Sequence, residues 1–252
     1  MVFNNNIRTI SYDPRNLWIS GTYSGLSDKD ESWFVYSNGA AICNKNHDTL
    51  VNGSDLGPGA EAISIQGLKG IAQVIFFPGD TVNQRHYLFH QNTQLSLPGH
   101  PSGNQPSSLQ LYYSVIDPLA ANGRGEILSK NNLVINDTLE NGNVLAVCHA
   151  NGRDWWVVVK KFFVGKFYAI LVTPDSVYAP ISYTDLSPLG VVGGQACFSP
   201  NGNHYASFSS TSQLRIYDFN RCTGILDNYR GKFITNHIAG STSFSPNSRF
   251  LY

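Results

Sequence analysis

Charge is scarce in this chain. Aspartate, glutamate, lysine and arginine make up 13% of its 252 residues, about half the usual share for a globular domain. The 17 acidic residues balance the 17 basic ones. No basic excess exists to neutralise phosphates, which argues against nucleic acid as a partner. No apolar run reaches the roughly 18 residues that a transmembrane helix needs. Residues 1–6 lack the charged-then-apolar order of a signal peptide. The four cysteines, Cys43, Cys148, Cys197 and Cys222, have no C-x-x-C spacing, so a zinc or redox motif is not supported. No amphipathic helix pattern of any length appears. What is present is 42% hydrophobic and 12% aromatic residues, enough for one large β domain that buries roughly 70–75% of its unfolded surface. A charge-poor chain rich in Asn, Ser, Thr and Tyr leans towards an extracellular β protein.

The organising stretch is residues 193–226. Gln195, Ala196, Cys197 and Phe198 are a short strand, and Ser199-Pro200-Asn201-Gly202-Asn203 turns the chain. Proline fixes φ at the second turn position, and Asn-Gly tolerates positive φ. His204 to Phe208 is a second strand. In a third, Leu214 and Ile216 lie on one face and Arg215, Tyr217 and Phe219 on the other. Asn220 to Gly224 turns again into Ile225-Leu226. Four antiparallel strands with tight hairpins form one sheet, and one such sheet needs neighbours to bury its faces.

The neighbours recur about every 45 to 50 residues, the period of propeller blades. Residues 147–156 line up with 196–205, allowing one insertion, and Ser243 to Tyr252 repeat the pattern. The insertion makes Cys148 and Cys197 equivalent; they read as small buried hydrophobes, with a disulfide between blades left open. The expected fold is an all-β propeller of about four to five four-stranded blades, incomplete, with approximate blades at 17–60, 70–137, 144–184, 193–235 and 241–252. Both ends read as truncations, so the remaining blades of a parent chain are expected partners.

FSPNG at 198–202 and IYDF at 216–219 resemble WD40-like and YVTN-type blades. WFVYSNGAAICNKNHDTLVNGSDL (33–56), HYLFHQ (86–91), LYYSVID (111–117) and HANGRDWWVV (149–158) together resemble the amino-terminal propeller of large secreted proteins of gliding bacteria, associated with type IX secretion. The resemblance implies a secreted or cell-surface scaffold and brings no catalytic residues with it.

The most enzyme-like cluster is His149, Arg153 and Asp154, in a turn between two strands, where His149 and Asp154 would form an acid–base pair. No nucleophile or second carboxylate accompanies them at a telling spacing, and a polar turn that bonds its own loop accounts for them. In the next repeat the corresponding residues are Phe198, Asn203 and His204. His47, His86, His90 and His100 suggest a metal only weakly, since no carboxylate is close in sequence. Asp28, Asp30 and Glu31 read as a solvated turn before calcium ligands. Trp33, Trp155 and Trp156 fit core packing between blades better than sugar stacking. The polar loop 91–108 is the best candidate for partner contact. The resulting expectation is a non-catalytic module binding protein or glycan, with no catalytic, cofactor-binding or metal residues and no cofactor. The alternative is a polysaccharide-acting hydrolase or lyase with its site near His149, Arg153 and Asp154.

Overall fold

A computed structural model describes residues 2–4, 7–9, 17, 23–30, 32–57, 74–78, 85–92, 108–140, 143–162, 165–184, 194–209, 213–234 and 241–252. A short hairpin, β1 (Val2–Asn4) and β2 (Ile7–Thr9), precedes four sheets. The first holds β3 (Ser24–Ser27), β4 (Phe34–Ser37) and β5 (Ile42–Asn44). The second holds β6 (Val74–Pro78), β7 (His86–Gln91), β8 (Ser108–Asp117) and β9 (Glu126–Leu139). The third holds β10 (Leu145–Cys148), β11 (Trp155–Lys160), β12 (Lys166–Val172) and β13 (Ile181–Thr184). The fourth holds β14 (Gln195–Phe198), β15 (His204–Phe208), β16 (Gln213–Asn220) and β17 (Ile225–Phe233). Every pairing within these sheets is antiparallel between strands consecutive in sequence. A final hairpin pairs Phe244 with Leu251.

The first strands stand side by side: β3 beside β6, β6 beside β10, and β10 beside β14. The sheets therefore fan out from an inner line of strands, and each hides its faces against its neighbours. Three apolar layers result. Val35, Ile42 and Leu50 of the first sheet meet Leu88, Ile116 and Ile127 of the second. Phe89, Leu111 and Leu139 of the second meet Val157, Tyr168 and Ile170 of the third. Trp156, Val158 and Phe167 of the third meet Tyr205, Tyr217 and Phe219 of the fourth. In β16 the face carrying Arg215, Tyr217 and Phe219 is the buried one, and Leu214 and Ile216 are only half-buried.

The strand order gives the molecule two ends. Turns between first and second strands, and between third and fourth, lie at one end, here called the turn end. Connections between second and third strands, and from one sheet to the next, lie at the other, the open end.

The first-to-second turn is the same device in the third sheet, the fourth sheet and the final hairpin, and it needs no insertion. Asn151 Oδ1 accepts from the backbone N–H of Arg153 and Asp154, both at 3.0 Å. Asn201 Oδ1 accepts from Asn203 N at 3.1 Å, and Asn247 Oδ1 from Arg249 N at 3.2 Å. His149 therefore corresponds to Ser199 and Ser245, not to Phe198. Cys148 corresponds to Phe198, since these two pair with Trp155 and Tyr205 at the strand ends, and Cys197 corresponds to Val147. The expected equivalence of Cys148 and Cys197 is thus off by one residue, and all four cysteines are free. The residue after each asparagine has positive φ: Gly152 at 73°, Gly202 at 74° and Ser248 at 59°.

The strand β9 runs over the fourteen residues Glu126–Leu139, with register shifts against β8 and Asn131 at a φ of 56°. Bulges break the strict alternation on which pattern reading rests.

Candidate functional site

The turn holding His149, Arg153 and Asp154 lies at the turn end, and its side chains serve the turn. Asp154 is buried, and its carboxylate accepts from Arg153 Nε at 2.7 Å and from Asn151 Nδ2 at 2.7 Å. The hydrogen bond from Arg153 comes first among the causes that hold its acidity below the ordinary carboxylate range, against the opposing effect of burial. His149 Nδ1 accepts from Asn151 N at 3.0 Å, while Nε2 lies 3.3 Å from the carbonyl oxygen of Cys222. The three residues share a turn, but the imidazole and the carboxylate are each committed to other partners.

Arg221, in the third-to-fourth turn of the fourth sheet, completes this end. Its guanidinium donates to the carbonyl oxygens of Cys148 at 2.9 Å and His149 at 3.1 Å, tying the fourth sheet to the third. Trp156 is core, buried against Gly224, and Trp155 packs on the opposite layer. Trp33 packs on His86, their ring centroids 4.8 Å apart. Asp28 accepts from Ser32 Oγ and caps its own loop. His47 is bonded to Tyr36 Oη at 2.8 Å. His86 and His90 share a face of β7 with Leu88 between them. Burial alone pushes His90 down to about 3, so it is neutral. Among the described residues, no three His, Cys, Asp or Glu side chains gather at metal-binding distance. Glu31, His100 and residues 93–107 lie outside the described residues.

The open end is different. Among the described residues, four charged side chains are buried: Asp154, Glu140, Lys160 and Arg215. The last three all sit towards the open end. Lys160 ends β11, and Glu140 follows β9, its N–H donating to the Lys160 carbonyl at 2.8 Å. Gln91, the last residue of β7, donates to the Glu140 carbonyl at 3.2 Å. Lys160 Nζ lies 5.3 Å from the Phe167 ring, and Phe167 lies 5.6 Å from Tyr217. Arg215 is two residues nearer the open end than Tyr217, on the same face. Its Nε and Nη2 donate to Gln213 Oε1 at 3.1 and 2.8 Å, and Gln213 Nε2 in turn reaches Tyr229 Oη at 3.3 Å. Lys160 and Arg215 thus lie on facing sheets towards the open end of one layer, and the backbone of the buried Glu140 is bonded to that of Lys160. Removing charges from water is expensive, and this chain has few to spend.

Sequence reasoning missed this group. Lys160 follows the apolar run Val157-Val158-Val159, and Arg215 lies between Leu214 and Ile216 on the face of Tyr217 and Phe219. Nothing in the spacing says that the face carrying Arg215 is the buried one.

No family model matches the chain, and no curated protein matches it. Solved structures do. The periplasmic gluconolactonase of Pseudomonas aeruginosa superposes with a TM-score of 0.52 at 13% identity, covering 91% of this chain and 61% of its own. The chain is a β-propeller. A Bacteroides fragilis protein assigned as a 6-phosphogluconolactonase gives a TM-score of 0.49 at 15% identity over 89% of this chain and 60% of its own. A gluconolactonase from Xanthomonas campestris gives 0.43 at 14% over 90% and 66%. The chain therefore spans about three fifths of the first two.

This likeness corrects the expectation of a non-catalytic scaffold. That expectation rested on the lack of a catalytic set at a telling spacing. The Pseudomonas protein that shares the propeller fold is named as an enzyme, and here buried charged residues of different sheets lie towards one end, where no linear spacing reveals them.

Proposed function

We propose that the propeller is a hydrolase of a cyclic ester derived from a sugar, acting at the open end of the third and fourth sheets. The observation that carries this reading is the burial of Lys160 and Arg215 on facing sheets, with the buried Glu140 bonded through its backbone N–H to the Lys160 carbonyl. The fold shared with a gluconolactonase supports the choice of reaction. In lactone hydrolysis a water oxygen bonds to the carbonyl carbon, negative charge collects on the carbonyl oxygen, and the ring C–O bond then breaks to give a hydroxy acid. Preorganised cations in a site shielded from water stabilise that oxyanion strongly. In this reading Glu140, the buried carboxylate towards the same end, takes the proton from water, and the departing ring oxygen receives it. This replaces the site near His149, Arg153 and Asp154, whose side chains are engaged in their turn.

Export to the cell envelope belongs to the same proposal. It draws on the low charge of the chain and the resemblance to secreted propellers of gliding bacteria, including their type IX route; fractionation of the native host tests it. The reaction is tested by following proton release from D-glucono-1,5-lactone with purified protein. A rate above the spontaneous one that scales with protein concentration supports the reading, and a rate equal to the spontaneous one rejects it.

A further inference from the structure

Asn143 enters β10 at the open end. Leu145 pairs with Val158 in the register of β10 and β11, so Asn143, two residues back, comes level with Lys160, two residues on. Asn143 is 4% exposed, and its Oδ1 is fully buried without a hydrogen-bond partner. Buried carbonyl oxygens of side chains nearly always find a donor. An unpaired one on a strand position level with a buried lysine is a feature with a stability cost and no structural return. The donors that Lys160 and Arg215 bring are cationic, and such groups suit an oxyanion. A buried amide oxygen at the same end suits a neutral O–H.

We infer that Asn143 Oδ1 accepts a hydroxyl hydrogen of the substrate, making Asn143 the residue that selects a hydroxylated ring over an unsubstituted one. The inference rests on the hydrolase reading for the reaction, but not for the binding. A site built around a hydrogen-bond acceptor rejects an analogue that lacks the donor, because the acceptor is then left buried and unpaired. A hydroxylated ring presents an O–H to Asn143 while its carbonyl oxygen meets the cations. An unsubstituted ring meets only the cations.

The test compares the full chain with Asn143→Leu, a substitution close in size. Hydrolysis of D-glucono-1,5-lactone and of unsubstituted δ-valerolactone is followed by proton release, and binding of gluconate by calorimetry. The expected result is a loss of about tenfold or more in kcat/KM on the hydroxylated lactone, with the unsubstituted lactone unaffected and the urea midpoint unchanged or raised. A loss shared equally by both lactones, or no loss on either, overturns the inference. Should the wild-type chain hydrolyse neither, the hydrolase reading falls and gluconate binding decides alone. Binding weakened about tenfold or more by Asn143→Leu upholds the role of Asn143, whereas equal binding, or none to either protein, overturns it.

Discussion

The indole of Trp156 donates its Nε1–H to the carbonyl oxygen of Arg221 at 2.9 Å, while the guanidinium of Arg221 reaches back to the backbone just before Trp156's own strand. The third and fourth sheets are therefore stapled in both directions at the turn end. Arg221→Ala leaves the carbonyls of Cys148 and His149 without these donors. A cost of about 2–3 kcal/mol follows from lost bonds to a charged group. Urea unfolding measures it. Arg221→Lys should recover little, because an ammonium does not present the two directed donors of the planar fork.

The repeated turn separates two effects that are usually mixed. Gly152 and Gly202 have nearly the same positive φ, but a Cβ on Gly152 meets nothing within 4 Å, whereas one on Gly202 lies 2.9 Å from Val147 Cγ2 and 3.0 Å from Arg221 Cδ. Gly152→Ala should cost only the backbone penalty, about 1 kcal/mol. Gly202→Ala should cost more by the displacement of Arg221. Equal losses in urea unfolding would remove the crowding argument.

Asp137 and Tyr168 give a pH signature between the second and third sheets. Burial opposes ionisation of Asp137, but hydrogen bonds from Lys161 and Tyr168 outweigh it and hold its acidity below the ordinary range. Burial, followed by the bond to Asp137, raises Tyr168 to about 12 from 10.0. The folded state keeps the Tyr168 proton where the unfolded chain releases it, so this contribution is full below pH 10 and disappears as pH rises towards 12. Ultraviolet titration of the phenolates should show a late tyrosine that Tyr168→Phe removes.

His90 acts at the acid side. Its ring is fully buried, and desolvation lowers it from 6.5 to about 3. The unfolded chain binds a proton below pH 6.5 that the folded chain refuses, so stability should fall as pH drops from 6.5 towards 3. In His90→Gln the loss between pH 7 and pH 5 should be smaller, whatever the variant's stability at pH 7. An unchanged slope in urea unfolding would contradict this.

Much of the fold was legible because its signals are local. Ser199-Pro200-Asn201-Gly202 carries its turn in four residues, and the alternation of β16 separates Tyr217 and Phe219 from Leu214 and Ile216. The limits have physical causes. The bulges of β9 destroy the period on which strand reading depends. His149, Arg153 and Asp154 attracted notice because they are neighbours in sequence, and they are neighbours because a turn needs them. Lys160, Arg215, Glu140 and Asn143 come from a strand end, a strand interior and a connection, and only the packing of one sheet on the next brings them to one end. The fit of Arg221 against Cys148 and His149 is likewise a contact between residues more than 70 positions apart.

The most direct measurement compares lactone hydrolysis by the wild-type chain, Lys160→Met and Asp154→Asn. Lys160→Met keeps the stem that packs near Phe167 and removes the charge, and Asp154→Asn disturbs only the turn at the opposite end. Loss of an oxyanion donor predicts a fall in kcat of about 100-fold or more for Lys160→Met, with Asp154→Asn within a few-fold of wild type when both are assayed folded. Activity that survives Lys160→Met and disappears in Asp154→Asn would contradict the account and return the site to the turn end.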